Sequence, residues 1–309
     1  MYIINIPNGA TSMIKNTISL LIANTFDAKL PQLEELLSGE AFTPCLPEQQ
    51  VKFGWGQVAS EQFVKKVGSH FLMRFVSEKK SVPSGALKAA MADAAKLHEE
   101  ENGVAMTKGE LKRLKENLMA VMLPRAFPKR TEMFVWIDTK NNTVNFDTSG
   151  NPKMEEALSF LQKTLKGELE VTRISTDTSP AMAMTGWLLG ETPTDLAVDD
   201  QCELVSPSEN KPTIKYVRHD LSGQDVLDHI KQGKVPANLA MTFKDCLSFV
   251  LTDKMIIKGI APLDFVNKEM EEVDQEDKEL IFDTSFMLMA DQIGNLTNCL
   301  ISNMAGDTA

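Results

Sequence analysis

The chain has 309 residues, 43% of them hydrophobic and 24% charged, and its net charge is −11. This is the composition of an ordinary soluble globular protein, long enough for one elaborate domain or two. Aromatic residues make up only 6%, which argues against a surface tiled with stacking platforms for single strands. No segment approaches the roughly 20 apolar residues of a membrane span, and the N-terminus lacks a signal-peptide pattern. We therefore expect a cytoplasmic protein with no membrane partner.

The cysteines and histidines show no spacing typical of a metal or redox site. None of the four cysteines lies in C-x-x-C spacing, and none of the four histidines in H-E-x-x-H spacing. Gly54-Trp55-Gly56 followed by Ala59 matches a dinucleotide-binding pattern only superficially, because a bulky tryptophan does not belong in that turn. A Walker A sequence is absent as well. The sequence therefore predicts no metal, no cofactor and no enzymatic activity.

The first part of the chain is predicted to mix helices with strands. Helical spacing of Ile14, Ile18, Leu21 and Ile22 predicts a helix there. The other predicted elements are a strand at 2–6, a helix at 30–37, an irregular stretch at 42–55 and a β-hairpin of 63–67 with 71–76.

Two long helices are predicted next, joined by a turn at Asn102-Gly103. The first begins at Pro83-Ser84 and ends near Glu101. The second begins at Thr107, which with Glu110 has the spacing of a capping box, and it ends before Pro124. Because this helical hairpin interrupts a β-rich context, we expect residues 82–122 to project from the body as an arm.

The second helix and its exit form a basic island. Residues 104–131 hold seven basic side chains against Glu110 and Glu116, a local charge of +5. Acidic residues are concentrated elsewhere, with a local −8 over 264–291 and −6 over 186–210. Such polarisation suggests a surface reserved for a polyanion, whereas charge alone favours a solvated helix face.

The remaining elements are hairpins and helices in irregular alternation. They are predicted as strands at 132–138, 143–147, 169–174, 197–205, 213–217, 238–243, 247–252 and 255–260, and helices at 154–166, 181–189, 224–231 and 285–304. This order predicts an α+β fold with antiparallel sheets and packed helices. Periodicity is lost at 176–180, where we place a boundary between an N-terminal α+β region, 1–175, and a C-terminal α+β region, 176–309.

A second, weaker basic set lies in the C-terminal region. It consists of Lys211, Lys215, Arg218, Lys231 and Lys234. Lys231 and Lys234 lie at a helix C-terminus, where interaction with the helix dipole would also explain them. His219 suits a contact with a phosphate or a partner, or a plain surface position. Phe127, an apolar ring among cations, belongs either to the core or to a subunit interface.

Five motifs in the same order along the chain resemble the RdgC family of recombination-associated DNA-binding proteins. They are residues 41–45 (AFTPC) before Gly54-Trp55, residues 123–127 (LPRAF), residues 136–139 (WIDT), residues 233–235 (GKV) and residues 286–289 (FMLM). The chain departs from the family pattern at Val104, where a basic residue is expected, and at Arg218-His219, where a lysine-glutamine pair is typical.

The resemblance implies a ring-shaped homodimer that encircles DNA. Members of the family bind duplex and single-stranded DNA without sequence preference, at the nucleoid, and restrain RecA-dependent strand exchange, by direct contact with RecA or by competition for DNA. Phe127 and His219 are then the expected dimer-interface residues. The expected DNA-binding residues are Lys108, Lys112, Arg113, Lys115, Arg125, Lys129, Arg130, Lys215, Arg218, Lys231 and Lys234. The alternative is a protein-interaction module that uses its acidic C-terminal half and does not bind DNA.

Overall fold

A computed structural model describes residues 14–27, 29–58, 61–263 and 277–305. The strands are β1 (Asn16–Ile22), β2 (Val51–Gly56), β3 (Val64–Val67), β4 (His70–Lys80), β5 (Pro128–Asp138), β6 (Thr143–Phe146), β7 (Val171–Arg173), β8 (Leu196–Val205), β9 (Thr213–Val217), β10 (Val235–Phe243), β11 (Leu247–Thr252) and β12 (Ile257–Pro262). The helices are α1 (Leu30–Gly39), α2 (Ser84–Asn102), α3 (Lys108–Met122), α4 (Asn151–Thr164), α5 (Pro180–Leu188), α6 (Gln224–Lys231) and α7 (Lys278–Met304).

All twelve strands belong to one large sheet, and every pair of neighbours in it is antiparallel. The order is β2-β4-β5-β6-β1-β12-β11-β10-β8-β9, with β3 added to β4 and β7 to β1. The two halves of this order meet at its middle, where β1 pairs with β12 at Asn16↔Lys258 and Thr17↔Ile257. The predicted combination of antiparallel sheet and packed helices is therefore confirmed.

The central strand β5 contributes to two separate cores because successive side chains of a strand point to opposite faces of the sheet. Val135 and Ile137 join one core, in which α1 and α4 bury their apolar sides. Trp136 joins the other core, in which α5 and α7 pack. All three side chains are fully buried. This strand is therefore covered on both faces.

Most of the predicted elements agree with the structure to within a few residues. The hairpin around Gly68 is β3 and β4, the hairpin around Asn142 is β5 and β6, and the capping box at Thr107 begins α3. The final helix begins earlier than predicted, at Lys278. The predicted strand at 2–6 lies outside the described residues.

The helix predicted from Ile14 to Ile22 is wrong, because this segment forms β1. Ile18 and Leu20 point into one core. Ser19 lies on the other side of the strand, where its hydroxyl donates to Asn145 Oδ1 at 2.7 Å. Isoleucine and threonine are frequent in strands, and pairing with β6 and β12 satisfies the backbone here. The stretch at 42–55, predicted as irregular, contains β2 at its end.

Within the described residues, no helix combines the length and the apolarity needed to cross a lipid bilayer.

Candidate nucleic-acid interface

Helices α2 and α3 pack against each other and keep most of their surface in solvent. Leu87 of α2 is buried, whereas no residue of α3, all of which is described, is buried. Gly103 adopts a left-handed conformation at φ 69° and ends α2. The Thr107 N–H donates to Glu110 Oε2 at 2.7 Å. Hydrogen bonds from the main chain and the side chain of Thr107 hold the pKa of the Glu110 carboxyl below its usual value.

Six cations on α3 and in the segment after it point into solvent. They are Lys108, Lys112, Arg113, Lys115, Arg125 and Lys129, all exposed. None of them forms an ion pair with a residue that the structure describes. Their charge is therefore not neutralised within the chain, and it produces a positive potential over this surface.

Arg130, predicted as part of the same set, is engaged within the protein. Its Nη2 donates to Glu78 Oε2 at 2.9 Å, and its Nε donates to the same oxygen at 3.1 Å. Its guanidinium carbon lies 4.6 Å from the centre of the Phe42 ring. The sequence gives no local indication of these contacts, because both partners are distant along the chain.

The second basic set is largely paired with neighbouring side chains. Lys215 lies 3.5 Å from Glu203, its partner across β8 and β9, and Lys231 lies 3.9 Å from Asp228. Lys234 Nζ contacts His229 Nδ1 and Gln232 Oε1, each at 3.1 Å. Lys211 and Arg218 are exposed.

The structure does not bring the two basic sets together within one chain. The first set adjoins β5, and Lys215 lies on β9, seven strands further along the sheet. At the usual strand spacing this is about 34 Å measured along the sheet. The two basic sets therefore occupy separate regions of one chain.

The two candidate interface residues have different environments. Phe127 is 94% exposed, which is exceptional for a large apolar ring. His219 is half-buried, with its Nε2 at 2.9 Å from Asp225 Oδ2 and its ring stacked on Tyr216. Val217, two residues before His219, is 63% exposed. Each region thus presents an apolar side chain to solvent.

Part of the acidic C-terminal segment is used inside the protein. Glu279 and Asp283 form ion pairs with the buried Lys65 at 2.8 and 2.6 Å. Asp291 Oδ1 lies 3.1 Å from Nε2 of the buried His70. The acidic residues at 264–276 lie outside the described residues.

Metal-ligand clusters and activated thiols are two kinds of group that could support catalysis in the part of the chain that the structure describes. No group of three or more His, Cys, Asp or Glu side chains there is placed to hold a metal ion. Burial and the neighbouring Glu78 raise the pKa of the Cys45 thiol, and burial raises that of Cys202 to about 12. Neither thiol is therefore an activated nucleophile.

Comparison with known proteins places the chain in a family. Residues 13–307 match the family model described as "Putative exonuclease, RdgC". The chain belongs to the RdgC family. The Recombination-associated protein RdgC of Cupriavidus necator is 34% identical over 89% of this chain and 92% of its own length. Its namesake from Dechloromonas aromatica is 30% identical over 95% of this chain and 97% of its own length.

The RdgC motifs lie in structurally distinct places. Phe42 and Gly54-Trp55 meet at the edge of the sheet, where the Phe42 N–H donates to the Trp55 carbonyl at 2.9 Å. Arg125 and Phe127 of the LPRAF motif are exposed, while Trp136 and Phe286 of two other motifs contact each other in the core. The buried Glu78 is not among the residues predicted from the sequence. The only indication of it in the sequence is that a carboxylate follows the apolar residues of strand β4.

Proposed function

We propose that this RdgC protein binds duplex and single-stranded DNA without sequence preference. The observation that supports the proposal best is the set of six exposed, unpaired cations on α3 and after it. Lysine and arginine side chains on a helix surface suit phosphate oxygens, which every DNA sequence presents in the same way. Binding of this kind weakens as salt rises because counterions are released from the DNA.

We further propose that the protein acts as a ring-shaped homodimer, with α2 and α3 as the projecting arm. Phe127 follows the arm near one end of the sheet, and His219 follows β9, the last strand at the other end. Self-contacts at both places would be isologous, and two such contacts close two chains into a ring. The exposed Phe127 ring supports the first contact and the exposed edge at Val217 supports the second.

A ring of this kind would bring the separated basic regions of two chains around one DNA path. The acidic segments would face outward and limit non-specific association. By occupying DNA at the nucleoid, the dimer would restrain RecA-dependent strand exchange, through competition for DNA or through direct contact with RecA. The division into regions 1–175 and 176–309 belongs to the same proposal.

The test replaces Lys112, Arg113 and Lys115 with glutamate and measures DNA binding by fluorescence anisotropy at several salt concentrations. Affinity for unrelated duplexes should fall more than ~10-fold. The slope of log affinity against log salt should flatten by about 2.7 per chain, since each phosphate contact contributes about 0.9. The matched control changes the exposed Lys153, Lys166 and Lys254 to glutamate, which alters the net charge equally.

Equal effects of the two triple variants would mean that only net charge matters and that α3 holds no DNA site. Absence of binding by the unaltered protein at low salt would reject DNA binding altogether and favour the protein-interaction alternative. DNA recovered after binding should keep its full length on a denaturing gel; shortened strands would instead favour the exonuclease named in the family description.

A further inference from the structure

We propose that Glu78, Arg130 and the segment 42–47 form a brace that fixes the direction in which α2 and α3 leave the sheet. Arg130 is on this account a positioning residue and not a phosphate contact. The effect on DNA affinity rests on the proposed function, whereas the effect on the position of the helices does not.

The brace lies where the segment containing α2 and α3 joins the sheet. The chain leaves β4 at Lys80 and returns to β5 at Pro128, and these two residues are paired across the strands. Two positions further into the sheet, Glu78 is paired with Arg130. A contact at this point acts on both strands that carry the helices.

The Glu78 carboxylate is the centre of the brace. Its side chain is almost completely buried, and its two oxygens serve different partners. Oε2 accepts both hydrogen bonds from Arg130, and Oε1 accepts the main-chain N–H of Cys45 at 2.8 Å. The Cys45 amide and the Arg130 guanidinium, despite burial, keep the pKa of this carboxyl below its usual value. A buried carboxylate deprived of such a partner is costly, so the arrangement is strongly favoured.

The segment 42–47 is attached to the sheet at two further points. Lys80, itself buried, donates from Nζ to the carbonyls of Leu46 at 3.0 Å and Pro47 at 3.2 Å. At the other end, Phe42 presents its ring to the Arg130 guanidinium. A planar guanidinium that stacks on a ring and binds a carboxylate is held in one orientation, which a lysine cannot reproduce.

Small changes at this junction are amplified along the helices. The fifteen residues of α3 span about 22 Å at 1.5 Å per residue. A rotation of about 10° at the base therefore displaces the far end by about 4 Å, which is enough to misplace side chains relative to phosphates. The brace thus determines where the six exposed cations lie.

The experiment measures this position directly in DNA-free protein. Spin labels are attached through ketone-bearing unnatural amino acids at Val104, in the turn between α2 and α3, and at Lys166, two residues after the end of α4. This chemistry leaves the four native cysteines unlabelled. The labelled protein is refolded with an excess of unlabelled protein, so that a dimer contains at most one labelled chain. Electron–electron double resonance should then give one narrow distance distribution in the unaltered protein. Glu78→Gln and Arg130→Gln should each broaden it or shift it by about 4 Å or more.

Arg130→Lys separates positioning from charge, and it keeps the test valid if Glu78→Gln does not fold. A positioning role predicts that lysine behaves like glutamine, with a broadened distance and weakened DNA binding. A phosphate contact predicts that lysine retains both the distance and the affinity. Lys112→Gln is the control that should lower affinity while leaving the distance unchanged.

The outcomes distinguish the two proposals. An unchanged distance in Arg130→Gln and Arg130→Lys overturns the brace, whether or not DNA binds. A changed distance in a protein that binds no DNA leaves the brace standing and rejects the proposed function. If both proposals hold, the effects of Glu78→Gln and Arg130→Gln on affinity should be strongly non-additive, because both variants break the same contact.

Discussion

Asp147 illustrates how a single carboxylate joins two strands. Its Oδ1 accepts the main-chain N–H groups of Lys15 at 3.2 Å and Asn16 at 3.1 Å, at the start of β1. Burial nevertheless raises the pKa of the carboxyl above its usual value, since it outweighs these two amides. The charged form is therefore disfavoured in the folded protein, which lowers the free energy of unfolding at neutral pH. This destabilisation is lost as the pH falls through the raised pKa and the carboxyl becomes protonated.

Asp147→Asn keeps an oxygen acceptor and removes the charge. We expect a free energy of unfolding at pH 7 that equals or exceeds that of the unaltered protein by up to ~1 kcal/mol. The difference should shrink as the pH is lowered toward ~4, because the unaltered protein then gains stability relative to the variant. Urea unfolding at a series of pH values measures this.

Asp220→Asn is a control for which the change of stability with pH should have the opposite sign. Hydrogen bonds from Ser222 lower the pKa of the exposed Asp220 carboxyl, so its contribution to stability is present at neutral pH and is lost in acid. If the free energies of unfolding of Asp147→Asn and the unaltered protein differed by the same amount at every pH, burial would not raise the pKa of Asp147.

The contacts of single side chains are harder to predict from the sequence than helices and strands are. Lys129 and Arg130 are adjacent cations with the same predicted role, yet only Arg130 has a buried carboxylate opposite it. That carboxylate, Glu78, is 52 positions away. Pairing of distant strands decides which charge is neutralised, and local composition carries no information about it.

At the scale of the elements, Gly54 in β2 determines how the edge of the sheet is closed. The backbone of Phe42 crosses it so closely that a Cβ atom at position 54 would lie 2.3 Å from the Phe42 Cα. The backbone on both sides is held in place, since Phe42 and Trp55 are hydrogen-bonded. Only glycine permits this approach.

Gly54→Ala should destabilise the protein by roughly 1–3 kcal/mol, because the backbone must shift to admit the methyl group. Gly39→Ala provides the comparison, since Gly39 ends α1 and a methyl group added there would meet nothing within 4 Å. Thermal unfolding of the two variants gives the result. Equal melting temperatures of the two variants would show that the Phe42 backbone can move away from position 54 at little cost.

Elements with strong local signals are predicted well. The capping box of α3, the hairpin turn at Gly68 and the run of apolar residues in β5 each depend on residues close together in the chain. The helical prediction for β1 fails because four apolar residues happen to have helical spacing, while its partners β6 and β12 come much later in the sequence. Tertiary pairing overrides a local pattern in such a strand.

At the scale of the whole molecule, Phe127 provides the test of self-association. Phe127→Ser should raise the dimer dissociation constant by ~10-fold or more, since an aromatic anchor of an interface is typically worth above ~1 kcal/mol. Analytical ultracentrifugation over a range of concentrations measures it. Because the side chain is 94% exposed, its removal should leave the melting temperature of the monomer unchanged.

Met182→Ser is the matched control, because Met182 of α5 is another exposed apolar side chain at 59%. It should leave the dissociation constant unaltered. An unaffected dimer in Phe127→Ser would remove this residue from the interface.

The arrangement of the sheet is only partly predictable from the sequence. Its antiparallel character follows from the many hairpins, whose turns and strands lie close together along the chain. The strand order does not follow from them, since it depends on pairings between the two halves of the chain such as that of β1 with β12.

The position of β1 has a consequence for how the protein is made. β1 is synthesised before both of its neighbours in the sheet, β6 and β12, and the side chain of Asn16 accepts a hydrogen bond from the main-chain N–H of Gly259, 243 positions away. Contacts this distant slow folding. The sheet can be completed only after β12 has been synthesised, so a nascent chain must keep an unpaired edge of β1 protected until then.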